Sequence, residues 1–129
     1  MGQPSDRRRY PRLSLEAGFT ARFRAADKSF TAVQMSDLSA GGTCLRVDAQ
    51  EADPLLKGTQ VSTLYLDHPD LPTVPLQGQV SWLMGKVAGK TEGFVLVGVE
   101  FNGLNPKIEA ALARFVDERL GLTEGSCDP

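Results

Sequence analysis

The stretch Asp37-Leu38-Ser39-Ala40-Gly41-Gly42 joins two segments in which apolar residues alternate, Phe30 to Met35 before it and Thr43 to Val47 after it. Alternation with a period of two predicts β-strands, so the stretch is interpreted as the tight turn of a hairpin. Asp and Ser side chains hydrogen-bond nearby backbone amides, and glycine adopts positive φ without steric cost. A turn with convergent N–H groups can also bind an anion. Taken alone, however, this turn predicts only a connection between strands.

Alternation continues on both sides of this hairpin and predicts an antiparallel β structure. From Leu13 to Phe23 every second residue is small or apolar, which predicts one long, half-buried strand. Turns rich in Gly, Pro and Asp separate the later segments. The predicted strands begin with this one and continue at about Ser29–Met35, Thr43–Val47, Gln60–Leu66, Thr73–Met84 (with Gly78 as a candidate bulge) and Phe94–Phe101.

A change of period near the C-terminal end predicts one helix. Asn105 is a good N-cap, Pro106 suits the first helical position, and Gly121 is placed as a stop. The apolar residues repeat at helical spacing: Ile108, Leu112, Phe115, Val116 and Leu120. The predicted fold is therefore all-β with a C-terminal helix, a six-stranded antiparallel barrel. We expect a flexible basic arm over residues 1–12, the barrel and helix over 13–121, and a disordered tail over 122–129.

Composition indicates a single globular domain of 129 residues. The sequence contains no run of eighteen apolar residues, so it predicts no membrane-spanning helix. The N-terminal segment also lacks the apolar region of a signal peptide. Cys44 falls in a predicted strand and Cys127 in a polar tail, so we expect no disulfide. A cytoplasmic location is the expectation that fits these features.

Residues of the kinds that enzymes use are scattered along this chain. The one histidine, His68, lies in an Asp-His-Pro-Asp turn and is interpreted as a solvated turn residue. No spacing of His, Cys and carboxylates predicts a metal site, and no Walker-type glycine loop is present. Neither cysteine has an evident base. The sequence therefore favours a binding domain without enzymatic activity, metal or cofactor.

Arginines concentrate in the predicted arm. Residues 1–12 contain four arginines and one aspartate, a charge of +3, which leaves −5 for the rest of a chain whose net charge is −2. A basic arm on an acidic body indicates an anionic partner, although such a run also occurs as a solvated tail. Guanidinium pairs bidentately with phosphate or guanine and stacks on bases. In an extended arm, Arg8 and Arg12 would stand roughly 13 Å apart.

The arm and the turn together form an ordered pair of motifs. Arg8 and Arg12 give R-x-x-x-R, and 25 residues after Arg12 comes the D-x-S-x-x-G of Asp37–Gly42. A strand ending in Gly98-Val99-Glu100-Phe101 and a terminal helix follow. In these features the chain resembles the PilZ domain family over about Arg7 to Leu120.

The resemblance implies a receptor for cyclic di-GMP, a bacterial second messenger with two phosphates and two guanines. Arg8 and Arg12 would engage guanine acceptor edges, base faces and phosphates. Asp37 suits the donors of the guanine Watson–Crick edge, Ser39 can donate or accept, and the two glycines permit close approach. The ligand-binding residues so implied are Arg7, Arg8, Arg9, Arg12, Asp37, Ser39, Gly41, Gly42 and Trp82.

Two of these assignments carry alternatives. Trp82 alternates with Val80 and Met84, so it is interpreted either as a core residue, which this shared face favours, or as the bulky residue that family members often carry near the ligand. In the family, a basic residue directly before R-x-x-x-R accompanies an intercalated ligand dimer, and an aliphatic one accompanies a monomer. Arg7 occupies that position, with Arg9 adding charge, so the resemblance implies two ligand molecules per chain.

The expected output is a surface change read by an unidentified effector protein, with the chain acting as an adaptor. One alternative is a PilZ-like interaction module that binds no nucleotide, although such modules typically lack one of the two motifs. Another is a single-stranded nucleic-acid binder, which would need several exposed aromatic residues. Because most of the nine aromatic residues (one Trp, two Tyr and six Phe) fall on predicted core faces, we expect no nucleic-acid partner.

Overall fold

The computed structural model describes residues 12–87, 89 and 91–121. Of the predicted arm, Arg12 is therefore described, whereas Arg7, Arg8 and Arg9 lie outside the described residues, as does the predicted tail at 122–129. No described helix is long and apolar enough to cross a membrane.

Seven strands and one helix make up the described part of the chain. The sheet order is β1-β3-β2-β5-β6-β7-β4, and β3 also pairs with β4, so β2 to β7 close into the predicted six-stranded antiparallel barrel. The elements are β1 (Leu13–Ser14), β2 (Thr20–Ala25), β3 (Lys28–Ser39), β4 (Gly42–Asp48), β5 (Gln60–Asp67), β6 (Leu76–Met84), β7 (Phe94–Asn102) and α1 (Pro106–Leu120).

The prediction of one long first strand from Leu13 is wrong, because the chain turns at Ala17 and Gly18. Gly18 has φ 106°, which a residue with a Cβ rarely adopts. The turn separates β1, which pairs with the end of β3, from β2, which pairs with the earlier part of β3 and with β5. Apolar alternation spans the break because both segments turn a face toward the same core. The consequence is that Arg12 is held beside the end of β3.

The motif stretch is also more regular than a turn. Asp37 and Ser39 belong to β3, and Gly42 begins β4, so only Ala40 and Gly41 lie between the strands. The predicted hairpin turn at Asp37–Gly42 is thus shorter than expected, with a connection of only two residues between the strands. In the hairpin between β2 and β3, Ala26 and Asp27 have φ of 52° and 60°. Two left-handed residues in a two-residue turn match the twist of the strands that they join.

Strand β6 begins at Leu76 rather than at Thr73, and Gly78 is not its bulge. The bulge lies instead on the partner strand β5, which has one extra residue between Val61, opposite Gly78, and Leu64. A Cβ at Gly78 would lie 2.3 Å from the carbonyl oxygen of Glu100, so the glycine allows β6 and β7 to approach closely.

The core fills the barrel and continues under the helix. Its fully buried side chains come from six strands, the β4–β5 connection and α1, among them Phe30, Met35, Leu45, Leu64, Val97 and Leu112. The predicted helix is confirmed. The Asn105 side chain accepts a hydrogen bond from the Lys107 amide at 2.7 Å, and Gly121 ends the helix at φ 77°. Leu120 departs from the predicted apolar face, since it is exposed.

His68 is packed rather than solvated, which corrects its interpretation as a free turn residue. Its ring stacks on Phe19, with centroids 3.9 Å apart and planes at 4°. Its Nδ1 accepts a hydrogen bond from the Asp70 amide at 3.1 Å. The histidine therefore anchors the β5–β6 connection onto the core.

Candidate ligand-binding site

Ser39 organises the motif hairpin through its hydroxyl. The Oγ atom accepts hydrogen bonds from the amides of Gly41 at 3.1 Å and Gly42 at 3.2 Å, and it donates to the carbonyl of Gly42 at 3.3 Å. The side chain is buried, with a relative exposure of 6%. The hydroxyl thus fixes the backbone of the short connection from inside.

Arg12 and Asp37 form the charged edge of the same hairpin. The pairing of β1 with β3 sets Ser14 opposite Asp37, so an arginine two residues before Ser14 reaches the aspartate. Arg12 Nη1 lies 2.9 Å from Asp37 Oδ1, and both side chains are part-buried. On the backbone side, Thr43 Oγ1 donates to the Asp37 carbonyl at 2.7 Å. This pair joins the last residue of the predicted R-x-x-x-R to the first residue of D-x-S-x-x-G.

A cavity of about 480 Å³ opens beside this pair. One wall consists of Arg12 and the hairpin residues Ser39 to Gly42, and another is formed by Trp82 with Gly98 on β6 and β7. The end of β7 and the first turn of α1 complete the lining. The structure therefore brings five predicted residues, Arg12, Ser39, Gly41, Gly42 and Trp82, to one cavity, with Asp37 at its edge.

Trp82 faces this cavity because β6 carries a bulge. Val80 pairs with Val99, yet Trp82 pairs with Gly98, so one extra residue shifts the register between them. Val80 points into the core at 1% exposure, whereas Met84 is 61% exposed. The expectation that Val80, Trp82 and Met84 share a face is therefore wrong. The indole covers Gly98, where an added Cβ would lie 2.1 Å from Trp82 Nε1.

Gly42 has a packing role that its place in the motif did not reveal. A Cβ at Gly42 would lie 2.3 Å from the Val99 carbonyl oxygen, so any larger residue would separate β4 from β7. The neighbouring Gly41 carbonyl accepts the Phe101 amide at 2.9 Å. These contacts tie the hairpin to the strand that ends in Gly98-Val99-Glu100-Phe101.

Glu100 and Glu109 also line the cavity and were not among the predicted site residues. The sequence presents Glu100 only as a polar residue between two core positions and Glu109 as part of the polar face of the helix. A sequence signal existed for Glu100, because it lies inside the strand signature already noted. Nothing in the spacing of Glu109 indicates the cavity.

Cys44 lies on the outer face of the barrel, next to the charged pair. It pairs with Asp37 across β3–β4 and with Gly98 across β4–β7, and it is 3% exposed. Burial, followed by the negative charge of Asp37, raises the pKa of the Cys44 thiol from 9.0 to about 11, although Arg12 opposes this shift. Cys44 is thus a neutral thiol at physiological pH.

The described ranges contain no group of three or more His, Cys, Asp or Glu placed to hold a metal ion.

Solved structures with this fold include PilZ proteins. The PilZ domain of YcgR from Escherichia coli with c-di-GMP aligns at a TM-score of 0.71 and 20% identity, covering 94% of this chain and 98% of that one. The MrkH–c-di-GMP complex of K. pneumonia gives 0.70 and 16%, covering 91% and 54%. MotI/DgrA, the inhibitor of motility of Bacillus subtilis, gives 0.70 and 13%, covering 92% and 53%. This chain thus spans about half the length of MrkH and MotI/DgrA.

At these identities the structural likeness shows a common fold. No curated protein matches the sequence. The family model of the PilZ domain matches the sequence over residues 6–118. This range includes both motifs, all seven strands and nearly the whole helix, and the chain accordingly belongs to the PilZ domain family.

Proposed function

We propose that this PilZ domain is a receptor for cyclic di-GMP. The observation that carries the proposal is the meeting of Arg12 and the Asp37–Gly42 hairpin at one cavity, with an ion pair of 2.9 Å between the two motifs. The structures of the YcgR PilZ domain and of MrkH contain c-di-GMP, which supports the same ligand here.

Each described residue has a role that its environment supports. The Arg12 guanidinium is part-buried and supplies donors for a phosphate or a guanine acceptor edge. Asp37 has one oxygen engaged by Arg12 and a second for guanine donors. Ser39 acts through the backbone it fixes, and the two glycines keep the hairpin free of side chains. Trp82 offers an aromatic face for stacking on a base.

The arm and the number of ligands belong to the proposal as well. Arg7, Arg8 and Arg9 lie three to five residues before Arg12 in the sequence, so we expect their side chains to reach a ligand held by Arg12. We propose that the arm closes over the ligand and that two intercalated cyclic di-GMP molecules bind. Two molecules bring four phosphate charges, which additional guanidinium groups offset while stacking on outer bases.

The output of this receptor is binding rather than catalysis. We propose that arm closure creates a surface which an effector protein recognises, and that the receptor works in the cytoplasm. The single histidine packs on Phe19, which supports a structural role for it.

Calorimetric titration of matched arginine variants tests this function. Arg12→Ala removes a charge-assisted contact, so affinity for cyclic di-GMP should fall by about 2–3 kcal/mol or more. Arg22→Ala is the control, because Arg22 pairs with Asp67 at 3.1 Å on another part of the barrel surface. The control should bind like the wild type, and both variants should fold. Equal affinity of Arg12→Ala and wild type would contradict the proposal.

A further inference from the structure

The cavity has a cationic and an anionic side. Among the described residues that line it, Arg12 is the only cation, and Glu100 and Glu109 are the only carboxylates. The two carboxylates come from β7 and α1, whereas Arg12 precedes β1. A site for a ligand with two phosphates would gain from an arginine, but carboxylates repel phosphates unless they meet hydrogen-bond donors.

Glu100 is placed to meet a base that stacks on Trp82. Glu100 pairs with Gly42 on β4 and with Gln79 on β6. Its side chain therefore extends from the outer face of the barrel next to Gly42, which has no side chain of its own. The preceding outward position on β7 is Gly98, which the indole covers. Alternate residues of a strand are about 7 Å apart, so the carboxylate stands at the edge of the stacking surface.

The Glu100 carboxylate is exposed and has no hydrogen-bond or ion-pair partner within the described ranges. Asp37 differs, because one of its oxygens already accepts from Arg12. Glu109 extends the negative wall from the first turn of α1. Glu100 is therefore the acceptor at the cavity with the most freedom to bind a donor pair.

Guanine carries such a pair. Its Watson–Crick edge presents N1–H and the 2-amino group side by side, and an ionised carboxylate accepts both. Adenine has an acceptor at N1, so its Watson–Crick edge would place an acceptor against the carboxylate and form no hydrogen bond there. We infer that Glu100 is a specificity-determining residue that accepts hydrogen bonds from a guanine Watson–Crick edge, with Glu109 strengthening the negative side. This inference rests on the proposed function and deepens it.

A paired change in protein and ligand tests the inference. The ligands are cyclic di-GMP and cyclic di-IMP, in which hypoxanthine keeps N1–H but lacks the 2-amino group. Wild type should prefer cyclic di-GMP by about tenfold, because the analogue loses one hydrogen bond to a charged acceptor. Glu100→Gln should bind cyclic di-GMP about tenfold more weakly and should lose the part of this preference that Glu100 supplies, whereas the part that Asp37 supplies is retained. Glu118→Gln, on α1 outside the cavity lining, is the control and should keep both values.

The possible results distinguish failure of this inference from failure of the proposed function on which it rests. Failure of wild type to bind cyclic di-GMP overturns both. Wild-type binding with an unchanged preference in Glu100→Gln overturns the guanine contact alone, and so does an equal loss for both ligands, which would indicate a ribose or a structural role. Tighter binding of both ligands by Glu100→Gln would also overturn it, because the carboxylate would then only repel phosphate. Thermal melts of each variant establish that it is folded.

Discussion

The thiol of Cys44 shows how the motif residues change the chemistry of a neighbouring side chain. With a folded-state pKa of about 11 against an ordinary 9.0, the thiol remains protonated where an exposed cysteine begins to ionise. The neutral form is the one that the fold favours. Its contribution to stability is therefore complete below pH 9 and is lost as the pH rises toward 11.

Alkylation of Cys44 should follow this shift. In a Cys127→Ser background, which leaves Cys44 as the single thiol, its rate at pH 8 should be about 100-fold below that of the urea-unfolded chain, because the thiolate is the nucleophile. The rate should keep rising up to about pH 11. A rate that levels off near pH 9 would show that burial and Asp37 do not control this thiol.

At the scale of single residues, the sequence predicted those positions whose chemistry is specific to their type. Arg12, Asp37 and Gly42 are such positions, and the structure places all three at the cavity or its edge. Trp82 was ambiguous because apolar alternation does not reveal a bulge. Glu100 was missed because a glutamate between core residues is typical of any exposed strand face.

At the scale of elements, the approach of β7 to its two neighbours depends on glycines. We expect Gly98→Ala and Gly42→Ala to fail in different ways. At Gly98 the added methyl meets the Trp82 side chain, which can move, whereas at Gly42 it meets the Val99 backbone. Gly98→Ala should therefore fold, displace the indole and weaken ligand binding, while Gly42→Ala should lose about 1–3 kcal/mol of stability.

A double mutant separates the indole clash from any other cost at Gly98. In a Trp82→Ala background, Gly98→Ala should have little further effect on the melting temperature or on binding, since the two residues then no longer meet. An equal cost of Gly98→Ala with and without the indole would show that the contact with Trp82 is not what requires glycine there.

Element boundaries were predicted best where a local signal marks them. The helix from Pro106 to Leu120 has an N-cap, a first-turn proline and a terminal glycine, and all three are confirmed. The break between β1 and β2 has no such mark, because both sides bury apolar residues with the same period. The register shift between Val80 and Trp82 depends on how β6 pairs with β7, which the apolar pattern within one strand does not show.

At the scale of the whole molecule, the barrel closes through the hairpin that carries the motif. The pairing of β3 with β4 joins the ends of the sheet, from Gln34–Arg46 to Ser39–Gly42. The sequence predicted the fold class and the six strands of the barrel, which follow from period and turns, but it did not separate β1 from β2. It did not predict which residues meet across the closure, because β6 and α1 reach the cavity only in the folded barrel.

The proposed ligand pair gives a prediction that involves the arm as well as the barrel. Saturating titration should give two cyclic di-GMP molecules per chain, since Arg7 stands at the position that accompanies dimer binding in the family. Arg7→Leu should lower this number toward one, because leucine neither offsets phosphate repulsion nor stacks as a cation. A stoichiometry near one for the wild type would contradict the pair.

The central claim is that cyclic di-GMP occupies the cavity between the motif hairpin and Trp82. The fluorescence of Trp82 tests this most directly, since it is the only tryptophan in the chain and it lines the cavity. Titration with cyclic di-GMP should quench or shift the emission and reach saturation, whereas GTP at the same concentrations should leave it unchanged. Emission that stays constant at ligand concentrations where calorimetry shows full binding would contradict the claim.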